Sequence, residues 1–207
     1  DYTIKAIVDS SLTDAFKPAT TNLGVQSKFI ADLIRGQTND TGYFTISNTN
    51  YFPILHQLIS SELDCDRMDY LLRDSYFCGV SYGQYDLDWL LDNLKTCSLN
   101  NDLYLGISER AVVTFDDFLL SRYHMFIMVY FHYRAVCLEQ LLFKYFASAP
   151  EEYIIPCDIE KYIDHDDHHL MKILRCSPNK YAQSIVSNNI PEKIFESFNE
   201  SQLNILD

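Results

Sequence analysis

Apolar residues recur at helical spacing along most of this chain. Ile4, Ile7, Val8, Leu12 and Phe16 predict a helix over Thr3–Phe16, and Phe29, Ile30, Leu33 and Ile34 predict a second over Val25–Ile34, with Gly36 as its stop. Gln37–Asn50 is polar, rich in Asn, Thr and Gly, with one short strand pattern at Tyr43–Ile46. Pro53 opens a short helix over Ile54–Ile59. The next helix is expected from near Leu63 to Cys78, with Gly79 just past its end. Asp86 caps a further helix reaching Lys95. Leu103–Ile107 alternates like a strand, and Ala111–Val113 is its expected hairpin partner. Phe115–Phe146 is one long helical run of roughly 45–50 Å at 1.5 Å per residue, with room for a break. Asp158–Leu174 is helical and charged. Two short helical segments follow Pro178, the second opened by Pro191. The predicted fold is all-α with one or two small β-hairpins, and no internal repeat is visible.

The segment Ser60–Gly83 stands out once its polar positions are placed on a wheel. Asp66, Tyr70, Arg73, Asp74 and Phe77 fall within about 100° of one another, with Arg67 just beyond. Met68, Leu71, Leu72, Ser75 and Cys78 fall on the other side. A solvated face is the ordinary explanation of such a pattern. Solvated faces favour Glu and Lys, however, and this one uses Asp, Arg and Tyr, the residues of ligand and phosphate sites. On the long run, Arg122, Phe126, Tyr130 and Tyr133 lie within about 80° of one another. That stripe could clamp a phosphate and stack a sugar or base, or it could be an aromatic core stripe with a snorkelling Arg. His124 and His132 read as core or surface histidines.

Composition narrows the classes. At 207 residues, with 47% hydrophobic and 14% aromatic content, the chain can bury a full core, which excludes disorder. A formal net charge of −13 argues against binding nucleic-acid backbone through the overall field, so a polyanionic substrate would need local Arg clusters and a divalent cation. The 6 Cys form neither a CxxC nor a His/Cys zinc spacing, and most read as reduced core thiols of a cytoplasmic protein. Asp116, Asp117, Arg122, His124, His132, Arg134 and Glu139 interrupt the most apolar stretch, which excludes a membrane span there. Asp164-His165-Asp166-Asp167-His168-His169 has the composition of a metal tract. Consecutive helical residues point in different directions, however, so a solvated helix start is the better reading. Glycine-rich phosphate loops and nucleophile elbows are absent. Asp1 enters directly on a helical pattern and Asp207 ends without a capping signal, so both ends are expected to lie inside a longer protein.

Leu63-Asp64-Cys65-Asp66-Arg67-Met68-Asp69-Tyr70-Leu71-Leu72-Arg73-Asp74-Ser75 resembles the HD-domain metal-dependent phosphohydrolases, and within them the deoxynucleoside triphosphate triphosphohydrolases. Gly79-Val80-Ser81-Tyr82-Gly83, Arg122-Tyr123-His124-Met125-Phe126 and Val129-Tyr130-Phe131-His132 continue the likeness in the same order. The resemblance covers about residues 1–175, leaving 176–207 as a polar helical tail. It implies an HD-domain-like helical fold and the hydrolysis of a dNTP to deoxynucleoside and triphosphate. It also implies a divalent metal ion (Mg, Mn, Fe, Ni or Zn) and homo-oligomers, either dimers or tetramers. Asp66 matches the last of the family's four metal ligands, a His, a His-Asp pair and a distant Asp. Arg67 and Arg122 match positions that contact phosphate. Tyr70 and Asp74 match positions that hold the sugar and its 3′-hydroxyl, and Tyr130 matches a Tyr packed where a 2′-hydroxyl would be crowded.

Two departures accompany the likeness. Only 65 residues precede Asp66, and they contain one histidine, His56, so three of the four metal ligands have no counterpart. His165-Asp166 follows Asp66 in order and cannot stand in for them. Tyr133 also occupies a position that is usually Lys. The sequence therefore predicts part of a catalytic dNTP phosphohydrolase that is inactive by itself, with the metal absent or weakly held. A non-catalytic nucleotide-binding or oligomerisation module, or a purely structural helical domain, remains as the alternative.

Overall fold

A computed structural model describes residues 22–162 and 164–192. The helices expected over Thr3–Phe16 and after Pro191 lie outside them. The chain divides into two compact units, Asp1–Tyr130 and Phe131–Asp207.

In the first unit, α1 (Ser27–Arg35) ends at Gly36, whose φ of +75° puts it in the left-handed region. A Cβ at Gly36 would lie 2.7 Å from the His56 ring, so the glycine also makes room for that imidazole. His56 sits on α2 (Phe52–Ile59), and its Nδ1 donates to the Leu33 carbonyl at 2.6 Å. The single histidine upstream of Asp66 is thus engaged in joining two helices. Phe29, Phe44 and Phe52 pack edge to face around this join.

The β structure is more extensive than separate hairpins. Strands β1 (Thr45–Ile46) and β2 (Thr49–Asn50) form one hairpin, and β3 (Leu94–Leu99) and β4 (Asp102–Ile107) form another. A parallel bridge, Asn50 to Asp102, fuses them into one mixed sheet of order β1-β2-β4-β3. Asn50 makes the junction. Its N–H donates to Asn101 O and its Nδ2 to Asp102 Oδ1, both at 2.8 Å, while its Oδ1 accepts from Phe52 N at 3.0 Å.

Several sequence expectations fail around this sheet. The partner of β4 is β3, not Ala111–Val113, because Asn100 and Asn101 adopt φ of +51° and +70° and close a tight hairpin on the other side. Val112 and Val113 instead open α5 (Val112–Met125). The helix capped by Asp86, α4 (Leu87–Asp92), stops short of Lys95. Buried Asn93 ends it, donating Nδ2 to Trp89 O at 2.8 Å and accepting from Arg110 Nε. Of Tyr43–Ile46, only Thr45–Ile46 is strand.

The main helix, α3, spans Cys65–Cys78 and ends at Gly79, φ +67°, as its sequence predicts. Its buried Met68 and Leu71 pack with Leu63, Leu90, Phe118 and Met125 into the core of this unit. Gly83 passes between α3 and α5. A Cβ there would lie 2.4 Å from the Leu71 carbonyl oxygen and 3.1 Å from Met125 Cγ. Gly83→Ala is therefore expected to destabilise this unit by about 1–3 kcal/mol, because the obstacle is backbone and cannot rotate away. A lowered denaturant midpoint checks it. Ser121 Oγ donates to Gln84 O at 3.0 Å, and Tyr85 Oη donates to Met68 O at 2.8 Å, so the same turn is tied to both helices.

The long run expected at Phe115–Phe146 is broken. After α5, Phe126–Tyr130 forms a π-helical turn, and α6 (Tyr133–Ser148) opens the second unit. That unit continues with α7 (Ile159–Tyr162), α8 (Asp167–Cys176) and α9 (Lys180–Val186), packed on buried Tyr145, Leu174 and Ala182. No single helix among the described residues is long and apolar enough to cross a membrane. All six cysteines are unpaired, but they are not core thiols: Cys137 is half-buried and the other five are exposed. Cys65, Cys78 and Cys176 are turned outward by their helices, while Cys97 lies on β3 and Cys157 in a bend before α7.

Candidate functional site

The site is built where the polar face of α3 meets the stripe that runs from α5 into the π turn. Asp64 sets the start of α3. It is buried, and its carboxylate accepts from Arg67 N at 2.7 Å and from Ser61 N at 3.1 Å, capping the helix. Arg67 then lies in the first turn, its Nε 3.4 Å from Asp64. Its Nη1 reaches the turn before the helix and donates to Glu62 Oε2 at 2.9 Å. Arg122, from α5, donates to the same Glu62 oxygen. One carboxylate thus bridges two guanidiniums from elements 55 positions apart in sequence. The Arg122 guanidinium also lies 5.7 Å from the Phe126 ring centroid.

A second junction joins the same two elements. Tyr130 Oη donates to Asp74 Oδ2 at 2.6 Å. Its ring meets Tyr70 edge-on at 6.2 Å and Phe126 at 5.2 Å. Arg67, Tyr70, Asp74, Arg122 and Tyr130 are therefore brought together on one face, with the cationic end and the phenol-carboxylate end separated by roughly 10 Å along α3 at 1.5 Å per residue. Phe126–Tyr130 is the turn that presents Tyr130, and π turns recur at functional sites.

Other sequence candidates lie apart. Arg73 makes a bidentate pair with Asp69, at 2.8 and 2.9 Å, and both are exposed. Phe77 and its neighbour Tyr76 are exposed. Tyr133 starts α6 in the second unit, which begins at Phe131, so the stripe in the first unit ends at Tyr130. His124 and His132 are exposed. In the acidic-histidine tract, Asp166 accepts from His169 N at 2.8 Å and caps α8, and the His165 and His169 rings sit 4.3 Å apart beside Tyr153. The tract is a helix start.

Asp66 is exposed in the first turn of α3, and no hydrogen bond or ion pair among the described residues engages it. Among the described residues no three His, Cys, Asp or Glu side chains come together to hold a metal ion. One carboxylate does not fit a divalent ion by itself, since such sites use three or more protein ligands. Glu62 and Asp64 are the residues that sequence reasoning passed over. Asp64 carried a readable signal, an Asp immediately before a periodic run. Glu62 carried none, because it sits in a turn.

Charge and burial set how these groups titrate. Hydrogen bonds from Arg122 and then Arg67 hold the Glu62 carboxyl below its ordinary 4.5. Burial, and then the hydrogen bond to Asp74, push the Tyr130 phenol well above its ordinary 10.0. The signs give opposite windows. The Glu62 bridge contributes stability above pH 4.5 that is lost as pH falls through the lower folded value, and the Tyr130 contribution is present below pH 10.0 and lost as pH rises beyond it. Glu62 is 67% exposed, so solvent screening holds its share to a few tenths of a kcal/mol, roughly. Stability measured against pH is expected to stay level between the two windows and to fall at both edges, more steeply on the alkaline side.

No protein-family model matches the chain. An uncharacterized protein of Methanocaldococcus jannaschii is 31% identical over 134 residues, covering 65% of this chain and 29% of that protein. The uncharacterized protein YwfO of Bacillus subtilis is 43% identical over 75 residues, 36% of this chain and 16% of that one. The chain therefore spans less than a third of the length of these relatives. Among solved structures, a hypothetical protein of Aquifex aeolicus superposes with a TM-score of 0.76 at 23% identity, over 97% of this chain and 50% of that one. A phosphohydrolase of Bacteroides thetaiotaomicron superposes with a TM-score of 0.60 at 22% identity, over 90% and 51%. This chain has the fold of one part of two solved proteins about twice its length, one of them a phosphohydrolase.

Proposed function

We propose that this chain is the substrate-binding part of an HD-type, metal-dependent phosphohydrolase that converts a dNTP to deoxynucleoside and triphosphate. The observation that carries the proposal is the pairing of two junctions on one face. Arg67 and Arg122 converge on a single anionic group, and Tyr70, Asp74 and Tyr130 form a polar and aromatic wall that starts about one turn further along α3 and reaches Asp74 about 10 Å on. Convergent guanidiniums suit a polyphosphate, and a carboxylate beside two phenols suits a sugar hydroxyl and its ring face. The phosphohydrolase among its structural neighbours supports the reaction class.

Asp66 is the residue of this chain that would hold the metal, together with ligands outside the described residues. A bound divalent ion supplies an activated water and neutralises phosphate charge. Arg67 and Arg122 would orient the polyphosphate, and Asp74, held by the Tyr130 hydroxyl, would accept from the 3′-hydroxyl. Assembly into dimers or tetramers and a cytoplasmic location belong to the same proposal. A second reading is nucleotide binding without turnover, in which the same arginines, phenols and carboxylate hold the ligand.

Thermal unfolding of the chain with each dNTP and Mg²⁺ or Mn²⁺ tests the binding. A midpoint raised by several degrees, and not raised in Arg122→Ala, is the expected result, whereas no shift with any nucleotide would overturn the proposal. The 207-residue chain is expected to bind without releasing triphosphate. Metal-dependent release by this chain would refute that expectation.

A further inference from the structure

Glu62 is an internal anion seated where Arg67 and Arg122 converge, and we propose that it occupies the phosphate seat and must be displaced by a polyphosphate ligand. The inference rests on the reading of the two arginines as that seat. Both arginine side chains are half-buried, at 25% exposure for Arg67 and 24% for Arg122, and both guanidiniums point at one oxygen of Glu62. Two guanidiniums converging on a single oxygen is the arrangement a phosphate oxygen would meet. The Glu62 carboxylate has no other partner among the described residues, is 67% exposed, and belongs to the turn between α2 and α3 rather than to a helix. Among the described residues, only the two arginines hold its carboxylate. It also borders a cleft of about 300 Å³ lined by Gln57, Ser61, Leu105 and Phe115, which gives the side chain a place to swing into.

The charges indicate what this contact selects. Arg67 and Arg122 are balanced by Glu62 and Asp64, so an arriving anion meets no net positive charge. Asp64 is buried as the cap of α3 and stays. Glu62 can leave. A single phosphate would replace one carboxylate with little gain. A triphosphate brings several anionic oxygens to both guanidiniums and displaces Glu62 at a net gain. Glu62 thus favours polyphosphate over monophosphate at a site whose arginines alone would take either.

Calorimetric titration of the full chain with inorganic triphosphate and with inorganic phosphate, without divalent cation, tests this. Glu62→Gln keeps the shape and removes the charge at an exposed position, so its fold is checked simply by circular dichroism. It is expected to bind triphosphate roughly three- to tenfold more tightly, to bind phosphate more tightly by at least as large a factor, and to gain most at low salt. Weaker or unchanged triphosphate binding in Glu62→Gln, with wild-type binding lost in Arg122→Ala, would overturn the inference alone and make Glu62 a positioning residue for the arginines. Absence of triphosphate binding in both wild type and Glu62→Gln would overturn the phosphate seat itself, and the inference with it.

Discussion

Phe118→Ala is expected to be the most damaging single substitution in the first unit, at about 3–5 kcal/mol. Phe118 is fully buried and packs edge to face on Tyr85 at 5.1 Å and against Phe115 at 6.1 Å. Tyr85 is itself tied to Met68 O, so α3 cannot simply close over the cavity. Phe118 also lies one helical turn before Arg122. A collapsed core there would turn α5 and move the guanidinium away from Glu62. Trp89, the sole tryptophan, belongs to the same unit, so its fluorescence in a denaturant titration follows this loss. A shift corresponding to less than about 1 kcal/mol would mean that the core repacks freely.

Asp74→Ala is expected to cost about 1–3 kcal/mol, more than Tyr130→Phe. The asymmetry follows from which group is left behind. Without Asp74, the Tyr130 hydroxyl stays half-buried among Tyr70 and Phe126 with no acceptor. Without the Tyr130 hydroxyl, the Asp74 carboxylate is still partly exposed and water can serve it. The ligand effects separate differently. Under the proposed function, Asp74→Ala weakens dNTP binding by about tenfold or more, while inorganic triphosphate, which has no sugar, binds almost as before. Paired titrations of the two ligands read this directly. Equal losses for both would place Asp74 in the support of the arginines rather than beside the sugar.

The helical part of this architecture was legible because it is local. Gly36 and Gly79 end their helices where the apolar period stops, and Asp86 caps where expected. The grouping of Arg67, Tyr70, Asp74, Arg122 and Tyr130 on one face was also legible, because each belongs to a face visible on a wheel or to a motif. The sheet was legible only in part: Leu103–Ile107 reads as a strand, but neither its partner β3 nor the join to β2 could be read. Its junction is one bridge between Asn50 and Asp102, far apart in sequence, and its second hairpin uses a turn whose residues also fit an ordinary loop. The π turn was hidden because a wheel assumes one period throughout. Glu62 was hidden because its partners are set by packing of α3 on α5, a tertiary event with no local signature.

The π turn keeps the two ends of the site in phase. Such a turn takes in about one residue more than an α turn for nearly the same rotation, and so carries Tyr130 round to the face of Arg122. The same residues wound at the α period of about 100° each would carry Tyr130 past that face and away from the Asp74 carboxylate. Removing one residue between Phe126 and Val129 would let the turn close to α with this phase nearly kept. The helical period here acts as a coordinate, fixing the angle between Arg122 and Tyr130.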